Sequence, residues 1–242
     1  MPRGSVHRPA RLLMSLSMHY PQFKDVAALP LSALRHLLMH GDSRERVWAA
    51  WALGLHHQGN SAPALEHAAR KDVEPGVRRH LVVMLAGAGE RDPLGALCAH
   101  DSDAHVRATA LQYLARLLGP AELSMHRFVV ERLRADPSAT VVAAGVRWVR
   151  ADAPPFVFEA VEMLLQHSDE SVRAAAVEKL LMASPTEIPP AVKSALRHDR
   201  QLLQLLEEDC RARVMHLFPT SPAPADSPHA EAQWPLALRK PP

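Results

Sequence analysis

His100, Asp101, Asp103 and His105 crowd into six residues, a density of nitrogen and carboxylate donors that could hold a zinc ion, and the chain runs straight on as ATALQYLARL. A zinc site normally adds thiolates or ligands from a distant part of the chain, and neither accompanies this cluster. Cys98, in LGALCAH, sits among apolar residues at helical spacing and reads as a small core residue; Cys210, in EEDCRARV, is expected to be more exposed. The adjacent Glu207 and Glu208 splay apart on a helix and read as solvated surface. Phosphate cradles of the G-x-x-x-x-G-K-[ST] type and G-x-S-x-G nucleophile turns are absent. The expectation is therefore no catalytic residue, no metal, no cofactor and no small-molecule substrate.

The elements that carry these residues are bounded by composition. A chain of 242 residues with 48% hydrophobic content can bury a substantial core. Its 28 Lys and Arg against 26 Asp and Glu supply neither the field of a nucleic-acid binder nor an acidic tail. The basic set is 23 Arg and 5 Lys, a skew that suggests a GC-rich bacterial genome. The N-terminal MPRGSVHRPARLLMSLSMHY has a basic start but a short, Ser-interrupted apolar run, so residues 1–30 are expected to form an arm or first helix. No run reaches the ~18 to 20 apolar residues of a membrane span. A cytoplasmic location without a membrane partner is expected, and two cysteines in apolar patterns suit a reducing compartment.

Internal similarity decides the organisation. GDSRERVWAAWALGL, KDVEPGVRRHLVVMLAG, HDSDAHVRATALQYLAR, ADPSATVVAAGVRWVRA and HSDESVRAAAVEKLLMA align on Val47, Val77, Val106, Val141 and Val172, at spacings of 30, 29, 35 and 31 residues. The first unit also admits an anchor at Glu45. Apolar residues recur about four, seven and eight positions after each anchor, the mark of a helix with one buried stripe. Between these segments lie further amphipathic stretches such as LSALRHLLMH and FVFEAVEMLLQH. The unit is two antiparallel helices, and no stretch alternates as a strand would. In this frame Asp101 and Asp103, with Asp42, Asp72, Asp136 and Asp169, precede a helix and read as caps for its unpaired N–H groups. Asp42 with Glu45 spells a capping box, and Pro137 suits a first helical position. His100, like His40, His167 and His198, closes the helix before the turn.

The motif D-x-D-x-x-V-R-x-x-A, carried by Asp101, Asp103, Val106, Arg107 and Ala110 and again by Asp169, Val172, Arg173 and Ala176, resembles HEAT repeats. The likeness is to the short type of about thirty residues also found in phycocyanobilin lyases, and it covers roughly residues 31–217. It implies an all-α fold, a right-handed α-solenoid of about five to six helix-pair repeats. It also implies that Arg78, Arg107 and Arg173 join the turn aspartates in an ion-paired ladder between units. Departures occur at Val142, which replaces the arginine, and at QLLQLLEEDCRARVMHLF, which replaces the last unit and reads as a capping helix.

Second helices of each pair line the concave side of such stacks. Trp48, Arg79, Thr109, Gln112, Arg147 and Glu178 are therefore expected there as partner-binding residues, with Trp148 a further candidate anchor and Trp51 in the core. The function expected is a non-enzymatic scaffold binding a protein or peptide. The alternatives are a nucleic-acid-binding relative of the DNA-alkylation repeat glycosylases, for which Arg116, Arg147 and Arg150 could gather on one face, and a bilin-lyase-like enzyme, which nothing local supports. Over the organisation 1–30, 31–218 and 219–242, the last segment is rich in Pro, Ala and Ser and is expected to be a disordered tail, with QWPLALRK a possible docking motif.

Overall fold

The computed structural model describes residues 21–218 except residue 57. Among these, every regular element is helical: α1 (Pro21–Ala27), α2 (Leu31–His40), α3 (Ser43–His56), α4 (Gln58–Lys71), α5 (Pro75–Ala88), α6 (Arg91–His100), α7 (Ala104–Leu117), α8 (Leu123–Ala135), α9 (Ala139–Trp148), α10 (Pro155–Met163), α11 (Glu170–Ala183), α12 (Pro190–His198), α13 (Leu202–Leu205) and α14 (Glu208–Val214). No helix among the described residues is long and apolar enough to cross a membrane. The expected tail, 219–242, and most of the expected arm, 1–30, lie outside the described residues; α1 packs on α3 with Phe23 fully buried.

Two rows of helices result. In one, α3 packs on α5, α5 on α7, α7 on α9 and α9 on α11; in the other, α2, α4, α6, α8 and α10 each pack on the following helix of the first row. Short turns of two to four residues make a direct return the simplest path between partners such as α6 and α7. The core between the rows is built of Leu, Val and Ala, including Leu53, Leu81, Leu111, Val146 and Leu181. Small residues allow close approach: a Cβ on Gly145 of α9 would stand 2.5 Å from Leu111 Cδ2 and 2.7 Å from Leu133 Cδ2, so α7 and α8 both press on that helix. The helix starts follow the capping rules. Asp103 accepts from the N–H groups of His105 and Val106, and Asp169 from those of Ser171 and Val172. Asp42 and Glu45 form the reciprocal box, each carboxylate taking the other's N–H at 2.8 Å. Pro137, by contrast, precedes Ser138, and α9 begins at Ala139.

At four of the five turns that lead into first-row helices, a guanidinium ties the turn to the next. Arg78 donates from Nε and Nη2 to Asp101 of the next turn, both at 2.8 Å, while its Nη1 reaches back to the Asp72 carbonyl at 2.9 Å. Arg46 repeats this with Asp72 and the Gly41 carbonyl, and Arg107 with Asp136 and the Asp101 carbonyl. Arg173 pairs with Asp199 at 2.6 Å and takes the carbonyls of His167 and Ser168. Each accepting aspartate also receives the N–H two residues on, as Asp101 does from Asp103. The turn aspartates thus divide into two jobs. Asp72, Asp101, Asp136 and Asp199 accept from the arginines, whereas Asp42, Asp103 and Asp169 cap. Arg46 in the arginine position also fixes the first unit on Glu45 rather than Val47.

The ladder skips one step on both sides. Where α9 should carry an arginine it has Val142, and where the next turn should carry the accepting aspartate it has His167, whose Nδ1 takes the N–H of Asp169 at 3.0 Å. A buried acceptor without its guanidinium would leave a charge unpaired, so the two losses belong together. Val142→Arg alone is expected to destabilise the protein, because Val142 is 1% exposed and the new charge would lack an acceptor. Adding His167→Asp is expected to recover at least about 1 kcal/mol of that loss; a double-mutant cycle by urea denaturation showing no coupling would overturn this account.

Acid should attack the rungs. Burial pushes the Asp136 carboxyl up, but the Arg107 hydrogen bond, the Ser138 N–H and the nearby positive charges together hold it below its ordinary 3.8. A depressed carboxyl contributes stability that is fully present above the unfolded value and is lost as pH falls through the folded one. Asp136→Asn is therefore expected to lower the melting temperature at pH 7 and to flatten its fall below about pH 4, measured by thermal melts across pH.

Candidate partner-binding face

The exposed side of the first row is the surface left once the ladder, the caps and the core are assigned. At its start, α3 and α5 enclose an open cleft of ≈ 560 Å³ lined by Arg44, Val47, Trp48, Trp51, Val77 and His80, among others. The residues reach it because positions three and six past an anchor lie off the buried stripe: Trp48 and Trp51 in the Glu45 register, His80 in that of Val77. Trp51, expected in the core, packs against it but also lines this cleft. Its indole N–H donates to His80 Nδ1 at 3.4 Å, with the ring centroids 6.1 Å apart. Partial burial, and after it the charge of Arg79, pushes the His80 imidazole below its ordinary value, which favours the neutral ring that can accept this bond. Arg44 lies over Trp48 at 5.7 Å.

Further along the row, Arg116 of α7 stacks over Trp148 of α9 at 4.6 Å and lies 5.7 Å from the ring of Tyr113. Trp148 is 39% exposed, and Arg147 beside it projects outward, 4.0 Å from Glu178. Arg79 is exposed; Thr109 and Gln112 are half-buried, with the Thr109 hydroxyl donating to the His105 carbonyl. Glu178, expected to face a partner, is instead buried, and its Oε1 accepts the Glu207 N–H at 2.8 Å. The reason is that α11 is covered: α12, α13 and α14 pack on it together with α9 and α10. The expected single capping helix is in fact two short helices and a 3-10 turn, pinned by Arg213 on the Leu181 and Ser184 carbonyls. Lys179, also buried, donates to the Val149 carbonyl at 2.7 Å, and burial pushes its ammonium down. Glu178, six positions past its anchor, followed the helical pattern of a groove position, and no local signal in the sequence marks it as covered.

Elsewhere chemistry is spent on structure. Burial pushes the Cys98 thiol up to about 12, and Cys210, expected to be more exposed, is 6% exposed with its thiol likewise raised by burial. Neither is a ready thiolate. Asp101 and Asp103 of the opening cluster are committed to the Arg78 rung and the α7 cap, and among the described residues no group of three His, Cys, Asp or Glu is placed to hold a metal ion. Arg150 does not join Arg116 and Arg147 as an open cation, because its Nε and Nη2 both donate to Asp152 at 2.7 Å. Neither a family model nor a curated protein sequence matches this chain.

The Trp51–His80 contact yields a pH signature. Neutral His80 contributes stability above 6.5 that is lost as pH falls through the lowered folded value. Tryptophan emission is expected to change with a midpoint below 6.5, and His80→Phe to abolish that transition; an unchanged transition in the variant would assign it to another group.

Proposed function

We propose that the protein is a non-enzymatic scaffold of HEAT-like repeats, whose helix pairs stack as a right-handed solenoid and whose first-row face binds a protein or peptide partner. The observation that carries this reading is the contrast along α3, α5, α7 and α9. The turn carboxylates and the turn arginines are consumed in caps and rungs, while Trp48, Trp51 and His80 line an open cleft and Arg79, Gln112, Arg147 and Trp148 stand exposed or half-buried farther along the row. Aromatic and arginine side chains on a rigid platform are the residue types that dominate protein interfaces. The helices hold them in fixed positions at little ordering cost.

A nucleic-acid reading draws on Arg79, Arg116 and Arg147 beside the exposed Trp148. Against it stand the formal charge of +2 and the commitment of Arg46, Arg78, Arg107, Arg150 and Arg173 to carboxylates. Phosphate contacts impose a steep salt slope, so a gel shift with salt titration separates the two. For the scaffold reading, Arg147→Glu with Gln112→Ala is expected to reduce capture of the physiological partner from the host, read by mass spectrometry, with stability changed by less than about 1 kcal/mol. Normal capture by that variant, with capture lost on deleting residues 219–242, would move the interaction to the tail.

A further inference from the structure

We infer that the face takes an extended acidic segment that seats one large apolar side chain between Trp48, Trp51 and His80; this rests on the scaffold reading above. The charge argument comes from what the fold has already consumed. Glu74, half-exposed at the cleft, accepts from Ser43 and Arg46, Glu45 closes the capping box, and Glu178 holds the Glu207 N–H, so these three carboxylates are already engaged. The arginines there are not matched in the same way. Among the described residues, Arg44, Arg79 and Arg116 have no carboxylate within ion-pair distance, and Arg147 has Glu178 only at 4.0 Å. One such arginine stands on each of α3, α5, α7 and α9, and the ligand that complements them is anionic.

Spacing favours a peptide. Packed helices stand about 8–10 Å apart, and a polyproline-II chain advances roughly 3.1 Å per residue with three residues per turn, so every third side chain points to the same side and meets the next helix of the row. The cleft supplies the anchor. Its walls are aliphatic and aromatic, from Val47, Val77, Trp48 and Trp51, and ≈ 560 Å³ accommodates a leucine or phenylalanine with flanking backbone. Arg44 at the rim and Arg79 beside His80 would hold the acidic groups on either side. Arg116, held over Trp148, presents a preoriented guanidinium farther along.

The test is a titration of the full chain, read by intrinsic tryptophan emission, with a Trp-free peptide of about a dozen residues that carries Glu at every third position and one Phe near its end. Saturable binding is expected, weakened about tenfold or more by replacing the Phe with Ser, by replacing each Glu with Lys, and by Arg79→Glu or Trp48→Ala in the protein. Circular dichroism and a melt confirm that each variant remains folded; a variant that does not fold is replaced by Arg116→Ala, for which the same loss is expected. Oligothymidylate of similar length binding more tightly than the peptide would overturn the inference in favour of single-stranded nucleic acid. Equal binding of the Glu and Lys peptides would overturn the charge assignment. If no acidic peptide binds while the Arg147→Glu, Gln112→Ala variant still loses its captured partner, the acidic segment is wrong and the scaffold reading stands; if neither effect is seen, both fall.

Discussion

A single arginine spanning two turns holds the rows in register. Apolar stripes drive the helices together, but burial is non-directional and tolerates sliding and rotation of one helix on another. A guanidinium that takes two carboxylate oxygens on one side and a carbonyl on the other does not tolerate it. Arg46, Arg78 and Arg107 link four successive turns in this way, through Asp72, Asp101 and Asp136. The arginine side chains on these rungs are 9–14% exposed and the aspartates 3–4%, so solvent screens them weakly and removing one partner leaves a nearly buried charge. The position of every off-stripe side chain on the first row is set by that register.

The interruption at Val142 and His167 divides the ladder, and the chain beyond it is secured differently. There α11 is enclosed on its open side by α13 and α14, with the buried Lys179 on the Val149 carbonyl, Glu178 on the Glu207 N–H and Arg213 on the Leu181 carbonyl. Among the described residues no further helix of the first row follows α11 to cover its apolar surface, and the short helices after α12 provide that cover. The same enclosure ends the accessible face at α9 and turns Glu178 from a surface group into a structural one.

The chemistry of the face is a remainder. Carboxylates fit turns and caps because helix N-termini expose unpaired N–H groups, so the fold draws acidic residues into the interhelix turns. Arginines one step past four of the five anchors follow them. What is left on the outward side of α3, α5, α7 and α9 includes the aromatic Trp48, Trp51 and Trp148 and the cationic Arg44, Arg79, Arg116 and Arg147, among neutral polar residues such as Gln112, although the chain as a whole carries only +2.

Periodicity was enough to read the helix pairs, the capping role of Asp42, Asp103 and Asp169, and the core placement of Cys98, because each depends on residues within one turn of helix of one another. The arginine position was legible too, but not the partner of each arginine: Asp72, Asp101 and Asp136 look like caps in sequence, and only the apposition of successive turns, some 23 to 29 residues apart, assigns them to Arg46, Arg78 and Arg107. The ambiguous first register had the same cause and was decided by the Arg46 rung. Glu178 and Cys210 were misplaced because the segment after α12 carries no pattern that tells which helix it covers. Local spacing determines which face of a helix is apolar; which polar residue meets which, and which outward face is left uncovered, depends on contacts between helices distant in the chain, and these exist only once the rows have packed.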